Sequence, residues 1–156
     1  MSSLAAAEAH PSPTRAPDSA DGDRRSRRRR RTPVRWRVVW ADDDPNITVA
    51  HARRLRRRGV KVLPATDGMQ AYWLAVTERP DLVVTDLRMP RWEGRDLLEC
   101  LLQNSQTAGV PIAVVSGYVT PEDERRLLRD GVAAVLHKPV EWDRLHRVLR
   151  GLLRDA

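Results

Sequence analysis

Five side chains in this sequence can handle a charged, oxygen-rich group: the paired acids Asp42 and Asp43, the lone Asp86, the Ser116 hydroxyl and the Lys138 ammonium. Each ends a short apolar run. Val38-Val39-Trp40-Ala41 leads into Asp42-Asp43-Asp44-Pro45, and Leu82-Val83-Val84-Thr85 leads into Asp86. Pro111 to Val115 leads into Ser116-Gly117, and Val132 to Leu136 leads into His137-Lys138-Pro139. Apolar, β-branched runs of this length suit strands buried on both faces of a parallel sheet. One strand ending on an acid says little, because strand ends are commonly polar. Four such ends together say more, since a parallel α/β sheet lines up its carboxyl ends where ligands bind. Carboxylates crowded there repel one another, and a divalent cation relieves the repulsion. Hard oxygen donors, few in number, suit Mg2+.

The segments between these runs read as the elements that position them. Arg35 to Ala41 forms the first strand. Asp44 is placed to cap a helix that Pro45 opens, running to about Arg58 and ending at Gly59. Its arginines at 53, 54, 56, 57 and 58 surround Leu55 and read as a solvated face rather than a basic docking patch. Val60 to Ala65 is a strand, Asp67-Gly68 a turn, and Met69 to Glu78 a helix that Pro80 stops. A third helix runs from Gly94 to about Gln103, with Leu97, Leu98, Leu101 and Leu102 as its apolar face and Cys100 as a small core residue. Asn104 to Gly109 is a polar loop. Thr120-Pro121-Glu122-Asp123-Glu124 begins a helix with a capping threonine, a first-position proline and acids at the positive end. Asp130-Gly131 ends it, and Glu141 to Leu153 is the last helix. Five βα units predict an α/β fold with a doubly wound, five-stranded parallel sheet.

The order and spacing of these motifs resemble the response regulator receiver domain of two-component signalling, in the form of a chemotaxis-regulator-like single-domain receiver. The resemblance covers Arg35 to Leu153 and rests on Asp42-Asp43 with Asp44-Pro45, Asp86 followed by Met89-Pro90 and Gly94, Ser116-Gly117, and Lys138-Pro139. It implies a flavodoxin-like strand order of 2-1-3-4-5. It implies that Asp86 is the nucleophile, accepting a phosphoryl group from a sensor histidine kinase or phosphotransfer protein as an acyl phosphate. Mg2+ is then held by Asp43, Asp86 and the Arg88 carbonyl, with Asp42 acting through water. Lys138 and Ser116 bind the phosphoryl oxygens, and Gly117 leaves the group room to approach. The Lys138-Pro139 bond is cis in this pattern. Arg88 and Tyr118 occupy positions that tune hydrolysis of the acyl phosphate. The chain departs from the pattern at Val135, where an aromatic residue rotates inward on activation; valine cannot make that movement. On this reading the protein is a phosphoacceptor that switches contacts with a downstream protein target. It is not an enzyme beyond its own phosphoryl transfer and hydrolysis.

Composition bounds the alternatives. Residues 1–37 hold ten arginines against four acids, whereas the remainder holds eighteen basic residues against seventeen acids. The basicity therefore belongs to a tail. Residues 1–33 predict a disordered, Arg-rich segment ahead of a receiver domain at 34–156, because so few large apolar side chains cannot offset the entropy of ordering. The run Arg24 to Arg31 contains no aromatic residue to stack on bases, so sequence-specific reading is not expected. A weak contact of this tail with nucleic acid or an anionic surface belongs to the alternative, in which the receiver fold serves as a scaffold or nucleic-acid-associated protein. One cysteine excludes an internal disulfide framework. No apolar stretch is long enough to span a membrane or to form an export signal, and a cytoplasmic protein is expected. The chain stops after its fifth helix, so no output domain is expected to follow. A haloacid-dehalogenase-type phosphohydrolase also uses a strand-end Asp, a Ser or Thr, a Lys and Mg2+. It places a second acid two residues after the nucleophile, where this chain has Arg88, and its paired acids come late rather than first. His51, His137 and His146 show no ligand spacing and are assigned no metal.

Overall fold

The computed structural model describes residues 33–92 and 94–154. The tail expected at residues 1–33 thus lies outside the described residues, Pro33 apart. Ten elements alternate along the chain: β1 (Trp36–Ala41), α1 (Pro45–Arg56), β2 (Val60–Ala65), α2 (Gly68–Glu78), β3 (Leu82–Thr85), α3 (Gly94–Gln103), β4 (Ile112–Ser116), α4 (Pro121–Arg129), β5 (Ala134–His137) and α5 (Trp142–Leu152). The strands form one sheet in the order β2-β1-β3-β4-β5, with every pairing parallel. This is the flavodoxin-like order that the motifs implied.

Strand composition follows position. β3 and β4 are buried along their whole length, as central strands covered on both faces must be. β2 lies at the edge and alternates in burial, and it tolerates Pro64, whose missing N–H would break an interior ladder. Alternating side chains then feed two separate cores. Val39, Ala41 and Val83 pack with α2, α3 and α4, whereas Val38, Trp40, Leu82 and Val84 pack with α1 and α5. The sheet is therefore doubly wound.

The helix ends follow the local chemistry. Asp44 accepts from the Asn46 amide at 2.9 Å, with Pro45 in the first turn of α1. Asp67, read above as part of a turn, caps α2 by accepting from the Gln70 amide at 2.9 Å. Thr120 and Asp123 form a reciprocal capping box at α4. Three sequence expectations shift. β5 starts at Ala134 rather than Val132, because Val132 still belongs to the turn leaving α4, its amide donating to the Leu127 carbonyl at 3.0 Å. Cys100 is half-buried rather than fully in the core, since Leu97, Leu98 and Leu101 take the inward face of α3. The polar 104–109 loop hides Thr107, which is 1% exposed and donates to the Leu101 carbonyl at 2.7 Å, closing the end of α3.

Gly59 and Gly94 are each required by geometry. Gly59 turns the chain into β2 at a φ of 80°, a region side chains disfavour. Gly94 lies against the backbone that follows β3, where a Cβ would come within 2.4 Å of the Asp86 carbonyl oxygen and 2.6 Å of the Leu87 Cα. Nothing flexible can give way there. Gly94→Ala is expected to lower stability by about 1–3 kcal/mol in urea unfolding. Gly151→Ala, on α5 with nothing within 4 Å of the added carbon, is expected to raise it by about 0.5–1 kcal/mol. A Gly94→Ala protein as stable as wild type would show that the β3–α3 junction is not closely packed.

Candidate phosphoacceptor site

Backbone pairing continues past the strand ends and fixes the site residues to one another. The Asp42 amide donates to the Ala65 carbonyl at 3.1 Å, and the Asp86 amide to the Ala41 carbonyl at 2.9 Å. The Lys138 amide donates to the Ser116 carbonyl at 3.0 Å, and Ser116 and His137 are register partners. Residues up to 96 positions apart thereby meet at the carboxyl edge of the sheet. Asp42 is 3% exposed, Asp86 8% and Ser116 0%, whereas Asp43 and Arg88 are exposed.

Charge is the organising feature. Asp42, Asp43 and Asp86 each offer a carboxylate oxygen within 4.8 Å of the others. Lys138 Nζ reaches between two of them, 2.8 Å from Asp42 Oδ2 and 2.7 Å from Asp86 Oδ2. The Arg88 amide donates to the other Asp86 oxygen, Oδ1, at 3.1 Å. The Asp44 amide donates to Asp42 Oδ1 at 2.9 Å. The Lys138-Pro139 peptide is cis. Ser116 Oγ is buried and meets no partner at ordinary hydrogen-bond geometry, although it lies close enough to Asp86 to favour the ionised carboxylate. A buried hydroxyl without a partner is uncommon and marks a donor free for an incoming oxygen. Asp42, Asp43, Asp86, Ser116 and Lys138 are thus brought together, with Arg88 at their rim.

The sequence singled out Arg88, Tyr118 and Val135 but gave no sign of how they and their neighbours pack. The Arg88 guanidinium stacks 3.8 Å from the centre of the Tyr118 ring. These two side chains, with Met89, Arg95 and Asp123, wall a cleft of about 800 Å³ that reaches Asp43. Arg95 of α3 and Asp123 of α4 close one side of it with an ion pair at 2.6 Å. Behind the site, Trp40 is accommodated by His51, whose ring stacks on it at 4.7 Å between centroids; Trp142 continues the stack at 5.9 Å. Burial, then the Arg54 charge, lowers the His51 pKa. Trp92 meets Tyr72 edge-on at 5.9 Å, half-buried beside Gly68. Val135, where the family pattern has an aromatic residue, is 8% exposed and fixed in the core shared with α4. His137 pairs with Glu124 at 2.9 Å.

Burial is the largest influence on Asp86 and opposes its ionisation. The Lys138 hydrogen bond, the Arg88 amide, the Ser116 hydroxyl and the Lys138 charge together outweigh it, so the carboxyl titrates below its ordinary value. Burial likewise opposes the Lys138 charge, but its bonds to Asp42 and Asp86 and their charges raise its pKa above the ordinary lysine value. A depressed carboxyl adds stability above the ordinary carboxyl range and loses it as pH falls through the folded value. A raised ammonium adds stability below the ordinary lysine range and loses it as pH rises through the folded value. The network is therefore intact between these limits. In metal-free Lys138→Met protein, Asp86 is expected to titrate higher than in wild type, followed by carboxyl carbon NMR. An unchanged titration would mean that the ammonium is not what holds Asp86 ionised.

Comparison with known proteins gives the same grouping. A family model for the response regulator receiver domain matches residues 38–150. The DNA-binding dual master transcriptional regulator RpaA of Synechocystis is 30% identical over 118 residues, covering 76% of this chain and 49% of RpaA. Protein PilH of Pseudomonas aeruginosa is 28% identical over 117 residues, covering 75% of this chain and 97% of PilH. The chain thus spans about half the length of RpaA and nearly all of PilH. Among solved structures, the receiver domain of the Francisella response regulator 1452 superposes with a TM-score of 0.72 at 28% identity, covering 78% of this chain and 98% of that one. With a match running from β1 into α5 and the acids, hydroxyl and lysine gathered at one sheet edge, the chain belongs to the response regulator receiver domain family of two-component signalling.

Proposed function

We propose that Asp86 accepts a phosphoryl group from a phosphohistidine of a sensor kinase or phosphotransfer protein, and that the protein thereby switches its contacts with a downstream protein in the cytoplasm. The observation that carries this reading is the Lys138 ammonium held 2.7 Å from the Asp86 carboxylate beside a buried, unpartnered Ser116 hydroxyl. In the transfer, the phosphorus–nitrogen bond of the donor breaks as an Asp86 oxygen bonds to phosphorus. The departing imidazole keeps the electron pair and takes a proton. Lys138 then follows the negative charge from the carboxylate to a phosphoryl oxygen, and Ser116 donates to another.

The donor set suits Mg2+: three carboxylates with oxygens within 4.8 Å of one another, all hard ligands. Asp43, Asp86 and the Arg88 carbonyl would hold the ion directly and Asp42 through water. When bound, it neutralises the crowded carboxylates and the charge developing on the phosphoryl oxygens. Val135 lacks the ring that rotates in the family pattern, so the switch in this chain does not use that movement.

Intact mass after incubation with Mg2+ and a small phosphoryl donor tests the acceptor. Wild type is expected to gain one phosphoryl group, whereas Asp86→Ala, or wild type with the metal chelated, gains none. Labelling of Asp86→Ala would place the acceptor elsewhere.

The Arg88–Tyr118 stack narrows the cleft through which water reaches the acyl phosphate. Tyr118→Ala is expected to shorten the phosphorylated lifetime by on the order of a few-fold. Loss of the group no faster than in wild type would exclude the stack as a barrier.

A further inference from the structure

Charge is segregated within the folded part to a degree that the phosphoacceptor site does not explain. Residues 45–59, comprising α1 and the turn after it, carry five arginines and no acid. Residues 142–154, comprising α5 and its end, carry four arginines against Asp143 alone. Elsewhere between residues 38 and 154, nine basic residues face fifteen acids. Both arginine-rich helices pack on the same side of the sheet.

Where they converge, at the amino ends of β1 and β2 and the far end of the sheet from Asp86, the surface encloses a cavity of about 400 Å³. Arg35, Arg58, Arg150 and Arg154 form its rim. None of the four pairs with a carboxylate among the described residues, and no described carboxylate lines the cavity. Its floor is apolar, made by Trp36, Leu55, Val60, Leu149 and Leu153. We propose that this arginine-rimmed cavity between α1 and α5 docks an acidic peptide segment of a partner protein, seating one large apolar side chain of that segment on the floor.

The anatomy is that of a protein interface: an apolar centre that excludes water, ringed by groups able to form bidentate bonds with carboxylates. The rim is partly pre-organised. Arg58 of the rim lies over the Trp142 ring at 5.6 Å, beside Arg54 at 5.1 Å, a contact that restrains a side chain that would otherwise lose rotamer freedom on binding. His146 also stacks on that ring, at 5.7 Å between centroids. Burial, then Arg58 and Arg150, lowers its pKa against the opposing pull of Asp143, so the positive charge of the rim rests with the arginines.

A nucleic-acid backbone fits less well. Its phosphates would satisfy the rim, but of the floor only Trp36 could stack on a base, leaving Leu55, Val60, Leu149 and Leu153 uncovered. The aromatic side chains most open to base stacking, Trp73 at 61% exposure and Tyr118 at 69%, belong to other parts of the surface. Because the cavity sits away from Asp86, docking there would anchor the protein to its partner in either phosphorylation state.

Fluorescence anisotropy with the full chain at physiological ionic strength tests the proposal. The probes are a labelled twelve-residue peptide with Leu-Trp between two runs of glutamate, the same peptide with Gly-Ser at the centre, and a DNA duplex of equal length. The Leu-Trp peptide is expected to bind at least about tenfold more tightly than the Gly-Ser peptide. Arg58→Glu with Arg150→Glu is expected to weaken it by a further factor of about ten or more. Changing Arg27, Arg28, Arg29, Arg30 and Arg31 to Ser is expected to leave the affinity within about twofold. Phosphoryl incorporation at Asp86 should be unaltered in the Arg58/Arg150 variant, establishing that it is folded. Equal binding of the two peptides, tighter binding of the duplex, or loss of binding with the five serine substitutions would each overturn the proposal.

Discussion

Three carboxylates converge on one corner of the sheet, and a single ammonium lies between two of them. Such a cluster is unfavourable in isolation, because desolvation and mutual repulsion both oppose ionisation. Lys138 offers one short charge-assisted bond to Asp86 and one to Asp42, and together with the Arg88 amide and the Ser116 hydroxyl it reverses the balance for Asp86; the Asp44 amide takes up a lone pair of Asp42. The arrangement holds the Asp86 carboxylate ionised beside a cation.

That precision comes from the backbone rather than from the side chains. The parallel ladder runs one residue beyond the strands, so Asp42, Asp86 and Lys138 are each anchored by an amide hydrogen bond to a neighbouring strand. Gly94 permits α3 to press against the carbonyl of Asp86, leaving the acceptor little freedom to shift along its strand. On the opposite face, Trp40 fills a position that its size would make costly, because His51 and Trp142 provide a stacked surface for it. The same two elements, α1 and α5, with the residues that directly follow them, carry nine arginines against one acid, Asp143. The inner surfaces of these helices thus support the site, while their outer surfaces face solvent.

The fold was largely legible from the chain. Short, β-branched apolar runs such as Leu82 to Thr85 suit buried parallel strands, and the Asp44-Pro45 and Thr120-Pro121 pairs mark helix starts through local hydrogen bonding. Boundaries were less legible where the chain turns before it pairs, as at Val132. The five chemical side chains could be picked out because each ends an apolar run, and residue type with spacing carries that information. Tyr118 was named from the sequence, but the contribution of Arg95 and Asp123 to the cleft was hidden, because those residues meet across elements whose separation in sequence follows no period.

From sequence alone come the element order, the sheet class and the identity of the chemical residues. These depend on local propensity and on side-chain period, which a chain expresses residue by residue. Only the tertiary structure decided that one ammonium bridges Asp42 and Asp86, that Ser116 is buried without a partner, and that His51 cushions Trp40. It also decided that arginines at 35, 58, 150 and 154 ring one apolar hollow. Such facts depend on distances between residues far apart in the chain, and those distances exist only once the sheet has set its register.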